Sequence, residues 1–214
     1  MKGTGWILPC MFISAALTSC TSVTPSSKDS AQNIAPQTSS LPYPISWHTR
    51  QQALSKIERW QINGKIAVQT PRDSGSATVN WVRAGRNYRV SLLGPFGSHA
   101  MKLSGVSGHT AILETSEGKR FESNSPEQLL AERWGYRLPV SYLSFWIRGL
   151  PAPERPFNGK FDRENRLISL VQDGYQVQFS NYIRKGFTVD LPRNLVISSS
   201  AIKSRIVIYQ WQIS

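Results

Sequence analysis

Apolar and polar positions along the chain alternate with two different periods, and the changes of period mark out the predicted elements. Residues 46–58 carry helical spacing, with Trp47, Leu54 and Ile57 on one face and Arg50, Gln51 and Lys56 largely off it. The period then drops to two: Trp60, Ile62, Gly64, Ile66 and Val68 alternate with Gln61, Asn63, Lys65, Ala67 and Gln69, which predicts a strand with one apolar face. Further strands are predicted at 75–83, 86–93, 98–105, 110–115 and 119–122, separated by turn signals such as Ala84-Gly85 and Glu117-Gly118. Ser125 as a cap and Pro126 in the first turn open a helix that runs through Trp134. A second short helix gathers Val140, Leu143, Trp146 and Ile147 on one face and is stopped by Gly149-Leu150-Pro151. Strands resume at 158–162, 166–172, 175–182, 193–198 and 203–213, with a hairpin-type Asp173-Gly174 pair between two of them.

This succession of about eleven strands and three helices predicts a mainly β (α+β) domain. The expected architecture is a strongly curved antiparallel sheet, an unclosed β-barrel, with helices covering its open side. No internal repeat at a period of about 20 to 50 residues is visible, which disfavours solenoids and propellers.

The N-terminal part follows another logic. Lys2 is the only charge ahead of a mostly apolar run, residues 6–17, that falls short of the roughly 20 residues needed to span a bilayer. Residues 1–19 therefore read as an export signal. The run ends in Leu17-Thr18-Ser19-Cys20, which resembles the lipobox of bacterial lipoproteins, where the cysteine is lipid-modified and becomes the N-terminus. The alternative is an ordinary signal cleaved after a small residue, with Cys20 a bystander. Cysteine count favours the lipid, because Cys10 would leave with the signal and Cys20 would be the one thiol of the mature chain. Thr21 stands where an Asp commonly favours retention in the inner membrane, so the outer membrane is the expected place. Residues 20–42, rich in Ser, Thr and Pro, read as a lipidated flexible tether with an r.m.s. span of about 25 Å. Residues 43–214 are left as the folded domain.

Composition sharpens the picture at one point. Hydrophobic residues make up 40% of the chain, enough for a core, but 25 Lys and Arg stand against 13 Asp and Glu, a net charge of +12. Such an excess points to a solvated basic face, or to one attracted to anionic phospholipid or an acidic protein. Export argues against nucleic acid, and the basic residues are dispersed, as at Arg83, Arg86 and Arg89, with no dense block. Catalytic signatures are missing. His48, His99 and His109 have no metal-like spacing, and no HExxH, CxxC, GxSxG, P-loop or GxGxxG pattern occurs. Asp162 and Glu164 flank a turn and read as the solvated ends of a hairpin. Neither an enzyme nor a metal site is expected, and the only prosthetic chemistry is covalent lipid (diacylglycerol and an acyl chain) on Cys20.

One loop stands out. In Gly94-Pro95-Phe96-Gly97-Ser98 a large aromatic occupies the tip of a turn that Asn or Asp would serve better. Either Phe96 folds back to staple its own hairpin, or it points outward as a probe for acyl chains. This loop, the lipobox at Cys20, the strand Arg59-Trp60-Gln61-Ile62-Asn63-Gly64-Lys65-Ile66-Ala67 and the stretch Pro139 to Pro151, with its Trp146-Ile147-Arg148-Gly149-Leu150-Pro151 end, together resemble the LolB family of outer-membrane lipoprotein-insertion receptors. That resemblance implies an unclosed barrel with a helical lid and a hydrophobic cavity for lipoprotein acyl chains. It also implies a periplasmic carrier, LolA, as donor, cargo lipoproteins and outer-membrane phospholipid as further partners, and a membrane-delivery loop formed here by Gly94, Pro95, Phe96 and Gly97. The family commonly places Leu at the protruding position; Phe96 keeps the apolar character.

Strand alternation and helix faces nominate Trp47, Trp60, Ile62, Trp81, Tyr88, Val90, Leu92, Phe145, Trp146, Tyr175, Val177, Phe179 and Trp211 as inward-facing, each either cavity wall or filled core. A monomer is expected. The competing readings are an envelope lipid-binding or structural lipoprotein with no transfer role, and a soluble carrier of the LolA type, against which the lipobox argues.

Overall fold

The computed structural model describes residues 44–97, 100–134, 137–184 and 189–214, all within the unit Ser39–Ser214. The predicted signal, Cys20 and the whole of the predicted tether lie outside the described residues, as do Ser98 and His99.

Helix α1 (Trp47–Ser55) is capped by Ser46, whose hydroxyl accepts from the Thr49 N–H at 3.1 Å. Six antiparallel strands follow as a meander: β1 (Arg59–Gln69), β2 (Ser74–Ala84), β3 (Asn87–Leu93), β4 (Met101–Val106), β5 (Ala111–Thr115) and β6 (Arg120–Ser123). Helices α2 (Pro126–Trp134) and α3 (Val140–Trp146) come next, then β7 (Asn158–Phe161), β8 (Leu167–Gln172) and β9 (Tyr175–Ser180). A short ribbon, β10 (Ile183–Arg184) with β11 (Asp190–Leu191), precedes β12 (Asn194–Ser198) and β13 (Lys203–Ile213). The main sheet has eleven strands in the order β6-β5-β4-β3-β2-β1-β13-β12-β9-β8-β7. Its edges, β6 and β7, do not pair with one another, and α2 and α3 are the segment that carries the chain from one edge to the other. The expected unclosed antiparallel barrel with helices on its open side is the fold found.

The ribbon was not foreseen. Two-residue strands carry no periodicity, and this pair is held by charge: Arg184 stands opposite Asp190, with Nε to Oδ1 at 2.9 Å. Arg50 corrects a second expectation. It is 1% exposed, on the buried side of α1 with Leu54, because its guanidinium donates to the Glu164 carbonyl at 3.0 Å and lies 3.7 Å from the Asp190 carboxylate. An arginine with a carbonyl and a carboxylate as partners can occupy an interior position that hydropathy alone would deny it.

The long central strands β1 and β13 hold the sheet's register through one irregularity. Asn63 pairs with Gln210 and Gly64 with Ile208, so Tyr209 is an extra residue, a bulge. It shifts the parity of β13 so that both Ile208 and Trp211 face inward and are buried. The bulged backbone lies so close that a Cβ at residue 64 would overlap the Val207 carbonyl oxygen, which is why glycine stands there.

The helices are fixed by polar groups at their ends. Glu127 accepts from the Ser125 hydroxyl at 3.0 Å and from the Ser141 N–H at 2.8 Å, tying the start of α2 to the start of α3. Gly149, at φ +78°, ends α3: its N–H donates to the Trp146 carbonyl at 2.8 Å, and the Leu150 N–H to that of Phe145 at 3.3 Å. Just before it, the buried Arg148 donates to the Leu54 and Ile57 carbonyls at 3.1 and 2.9 Å and to the Ser144 carbonyl at 3.2 Å. One cation thus serves the carbonyl ends of two helices. Burial, with Arg83 nearby, pulls its pKa down to about 10.

Gly64→Ala is expected to lower stability by about 1–3 kcal/mol in urea denaturation. Gly75→Ala, where an added methyl meets nothing, should stay within about 0.5 kcal/mol of the parent.

Candidate functional site

The inner face of the sheet is covered differently on its two sides. Around β13, β12, β9 and β8 it is filled. Trp60 packs against Trp81 and Trp211 with ring centroids 5.3 and 5.8 Å away, and the Trp211 indole N–H donates to the Pro192 carbonyl at 3.1 Å. Trp146, fully buried, lies 5.6 Å from both Tyr142 and Tyr175 and donates to the Gln172 side chain at 3.0 Å. That Gln172 amide also accepts from the Ala152 N–H and donates to the Ala152 carbonyl, each at 2.9 Å, so the loop after α3 is sealed onto β8. Val177 and Phe179 complete this filled half.

On the other side, beneath α2 and α3, the sheet stands away from the helices and encloses a cavity of about 540 Å³. That is within the roughly 300–1,000 Å³ of ligand pockets. Its sheet wall comes from Ile62, Ile66 and Val68 on β1, Ala77, Val79 and Trp81 on β2, Val90 and Leu92 on β3, Met101 and Leu103 on β4, and Ile206 on β13. Its helix wall is Leu130, Leu138, Val140, Leu143 and Ile147. Every one of these side chains is aliphatic, thioether or indole. Polar groups lining it, Asp73, Ser74 and Ser76, belong to the exposed end of β2 and the turn before it, and together with Gly94 and Pro95 they form the mouth.

The mouth is therefore bordered by the loop singled out by sequence. Gly97 N–H donates to the Gly94 carbonyl at 3.2 Å, closing a tight turn over Pro95 and Phe96. Phe96 does not fold back on its hairpin: it is completely exposed, at 108% of its reference area, and sits at φ 56°, ψ 26°. Holding a bulky side chain in the left-handed region costs about 1–3 kcal/mol, and exposing a phenyl ring forfeits its burial. Folding stability explains neither. Leu93, at the end of β3 and 46% exposed, extends the apolar tip.

Of the thirteen side chains nominated as inward-facing, the structure brings Ile62, Trp81, Val90 and Leu92 to the cavity wall. Trp60, Trp146, Val177, Phe179 and Trp211 are packed core. Tyr88 is buried, and that burial, aided by Glu127, raises its hydroxyl to about 12. Phe145 is half-buried between the Arg83 and Arg148 guanidiniums, 6.0 and 5.3 Å from its centroid. Trp47 is half-buried against Phe161 at 4.8 Å, and Tyr175 against Trp146. Ala77, Val79, Met101 and Leu103 were missed, although the same alternation runs through them. Leu130 and Leu138 had no strand period to reveal them.

The fold, a curled sheet that stops short of closure with helices beside it, is shared with a solved structure of the LolA superfamily. A superfamily member from Nitrosomonas europaea superposes with a TM-score of 0.52 at 10% identity, covering 79% of this chain and 94% of its own. Sequence relationship is closer elsewhere. Residues 58–211 match the family model of outer membrane lipoprotein LolB. The outer-membrane lipoprotein LolB of Pseudomonas syringae pv. syringae is 40% identical over 170 residues, 79% of this chain and 82% of its own. That of Pseudomonas putida strain GB-1 is 41% identical with the same coverage. The chain belongs to the LolB family: its place is the outer membrane and its role lies in lipoprotein localisation.

Filling the hollow at its mouth tests whether it takes apolar guests. The parent chain is expected to raise the fluorescence of N-phenyl-1-naphthylamine, and Ala77→Trp to abolish that gain with the thermal midpoint unchanged or raised.

Proposed function

We propose that this protein accepts lipoproteins from a periplasmic carrier of the LolA type and inserts them into the inner leaflet of the outer membrane, with their acyl chains lodged in the cavity during transfer. The observation that carries this reading is the adjacency of a hollow with apolar walls and a fully exposed aromatic at its mouth. Each buried methylene contributes about 0.8 kcal/mol, so two or three long chains would cost on the order of 20–30 kcal/mol to leave in water. A protein that covers them must release them without an energy source, and a bilayer is the sink that makes release downhill. Phe96, entering the acyl region first, opens a continuous apolar route from cavity to membrane. Gly94 and Pro95, which line the mouth and support the tip, belong to both surfaces at once.

The domain stays beside the bilayer through lipid on Cys20 and the tether of residues 20–42. Mass spectrometry of the mature N-terminus tests the anchor: the expected species begins at Cys20 and carries diacylglycerol and an acyl chain, and an unmodified Cys20 would remove it.

Phe96→Glu is expected to keep acceptance of a lipoprotein from the carrier while its arrival in the membrane falls steeply, and Phe96→Leu should retain delivery. Unimpaired delivery by Phe96→Glu would remove the role of Phe96 as an outward probe, whereas a parent chain that delivers no lipoprotein would favour an envelope lipid-binding lipoprotein.

A further inference from the structure

The acidic residues of this chain are distributed unevenly. Strands β3, β2, β1, β13, β12 and β9 are consecutive neighbours in the sheet, and they contain no Asp or Glu at any position while carrying Arg59, Lys65, Arg83, Arg89, Lys203 and Arg205. Three of these cations lie toward the end of the sheet where the cavity opens. Lys203 pairs with Gln69, Arg205 with Ala67, and Lys65 with Val207, which places all three on the outward side of β1 and β13, and all are exposed. Gln69 in turn pairs with Ser74, a residue of the mouth. Lys65 pairs with Thr78, which pairs with the exposed Leu93, so cation and apolar tip share one row of the sheet about 10 Å apart. Arg72, exposed in the turn between β1 and β2, stands at the same end.

We propose that Lys65, Lys203, Arg205 and Arg72 form a docking strip for anionic phospholipid headgroups, which sets the domain on the bilayer with Phe96 and the cavity mouth facing the membrane. Charge complementarity and continuity select this occupant. A strip that runs directly into Leu93 and Phe96 matches a headgroup layer lying over an acyl region, whereas a soluble acidic protein would leave the two apolar side chains exposed to water. The outward neighbours of Lys65, Lys203 and Arg205 are Gln, Ser, Thr, Asn, Ala and Val, so no carboxylate on these strands competes for them; Arg72 has the exposed Asp73 beside it in the turn, whose Oδ1 accepts from the Ser74 N–H. The proposal rests on the transfer reading for its purpose, but its binding step can be measured separately.

The test uses the full chain with Cys20→Ser, so that no acyl anchor contributes, co-sedimented with vesicles of phosphatidylcholine alone or mixed with phosphatidylglycerol. Each basic side chain near an anionic surface contributes about fivefold in partition, so Lys65→Gln/Lys203→Gln/Arg205→Gln is expected to lower the anionic-to-neutral binding ratio on the order of 100-fold. The control Lys56→Gln/Arg59→Gln/Arg163→Gln removes the same charge at the opposite end and should leave the ratio nearly intact; circular dichroism checks that both variants fold. Equal binding of the parent to both vesicles, an unchanged ratio in the strip variant, or an equal drop in the control overturns the proposal. A strip variant that keeps its vesicle ratio but loses acceptance from the carrier would assign the strip to a protein instead. Failure of the parent to accept lipoprotein at all would defeat the transfer reading and leave the vesicle result standing.

Discussion

The inner face of the sheet is apolar across its width, and because β6 and β7 do not meet, something other than strand must shield it from water. The same need is met in two ways. Over β8, β9, β12 and β13 large aromatics and the end of α3 fill the space, with Trp146 locked to Gln172 and Trp60 in contact with both Trp81 and Trp211. Over β1 to β4 the covering helices present aliphatic side chains that do not reach the wall, and the hollow results. The filled half acts as a rigid support that lets the other half stay open.

Polar interactions decide where the helices sit. Arg148 bonds carbonyls at the end of α1 and inside α3, and Glu127 joins the starts of α2 and α3. These contacts fix the ends of the covering elements without occupying the space beneath. The Arg148 side chain is buried among bonded carbonyls, with Phe145 stacked on it. Removing it would strand carbonyls in the interior, a costlier change than losing a surface charge.

Much of this fold is legible in the chain. The helix Pro126–Trp134 and the strand Lys203–Ile213 lie where cap, proline and alternation place them, and the eleven strands of the sheet each have a predicted counterpart. What alternation cannot express is what stands opposite a side chain. Trp60 and Trp81 are both inward-facing on neighbouring strands, yet only Trp81 borders the cavity, because other aromatics complete the packing around Trp60. Arg50 and the Arg184–Asp190 ribbon escaped for another reason: their places are set by partners distant in sequence, which no local period encodes. Phe96 is conspicuous in the sequence because an aromatic in a Gly-Pro-x-Gly turn contradicts turn chemistry, and its left-handed backbone is that conflict in physical form.

An unclosed sheet leaves two rows of unsatisfied backbone donors and acceptors, the usual template for one molecule to add onto another. Here both outermost strands are only four residues long, and they carry Arg120 and Glu122 on one side and Lys160 on the other. Short, charged borders of this kind discourage polymerisation into continuous ribbons. The barrel can thus remain permanently split, as its hollow requires, without the aggregation that exposed strands invite.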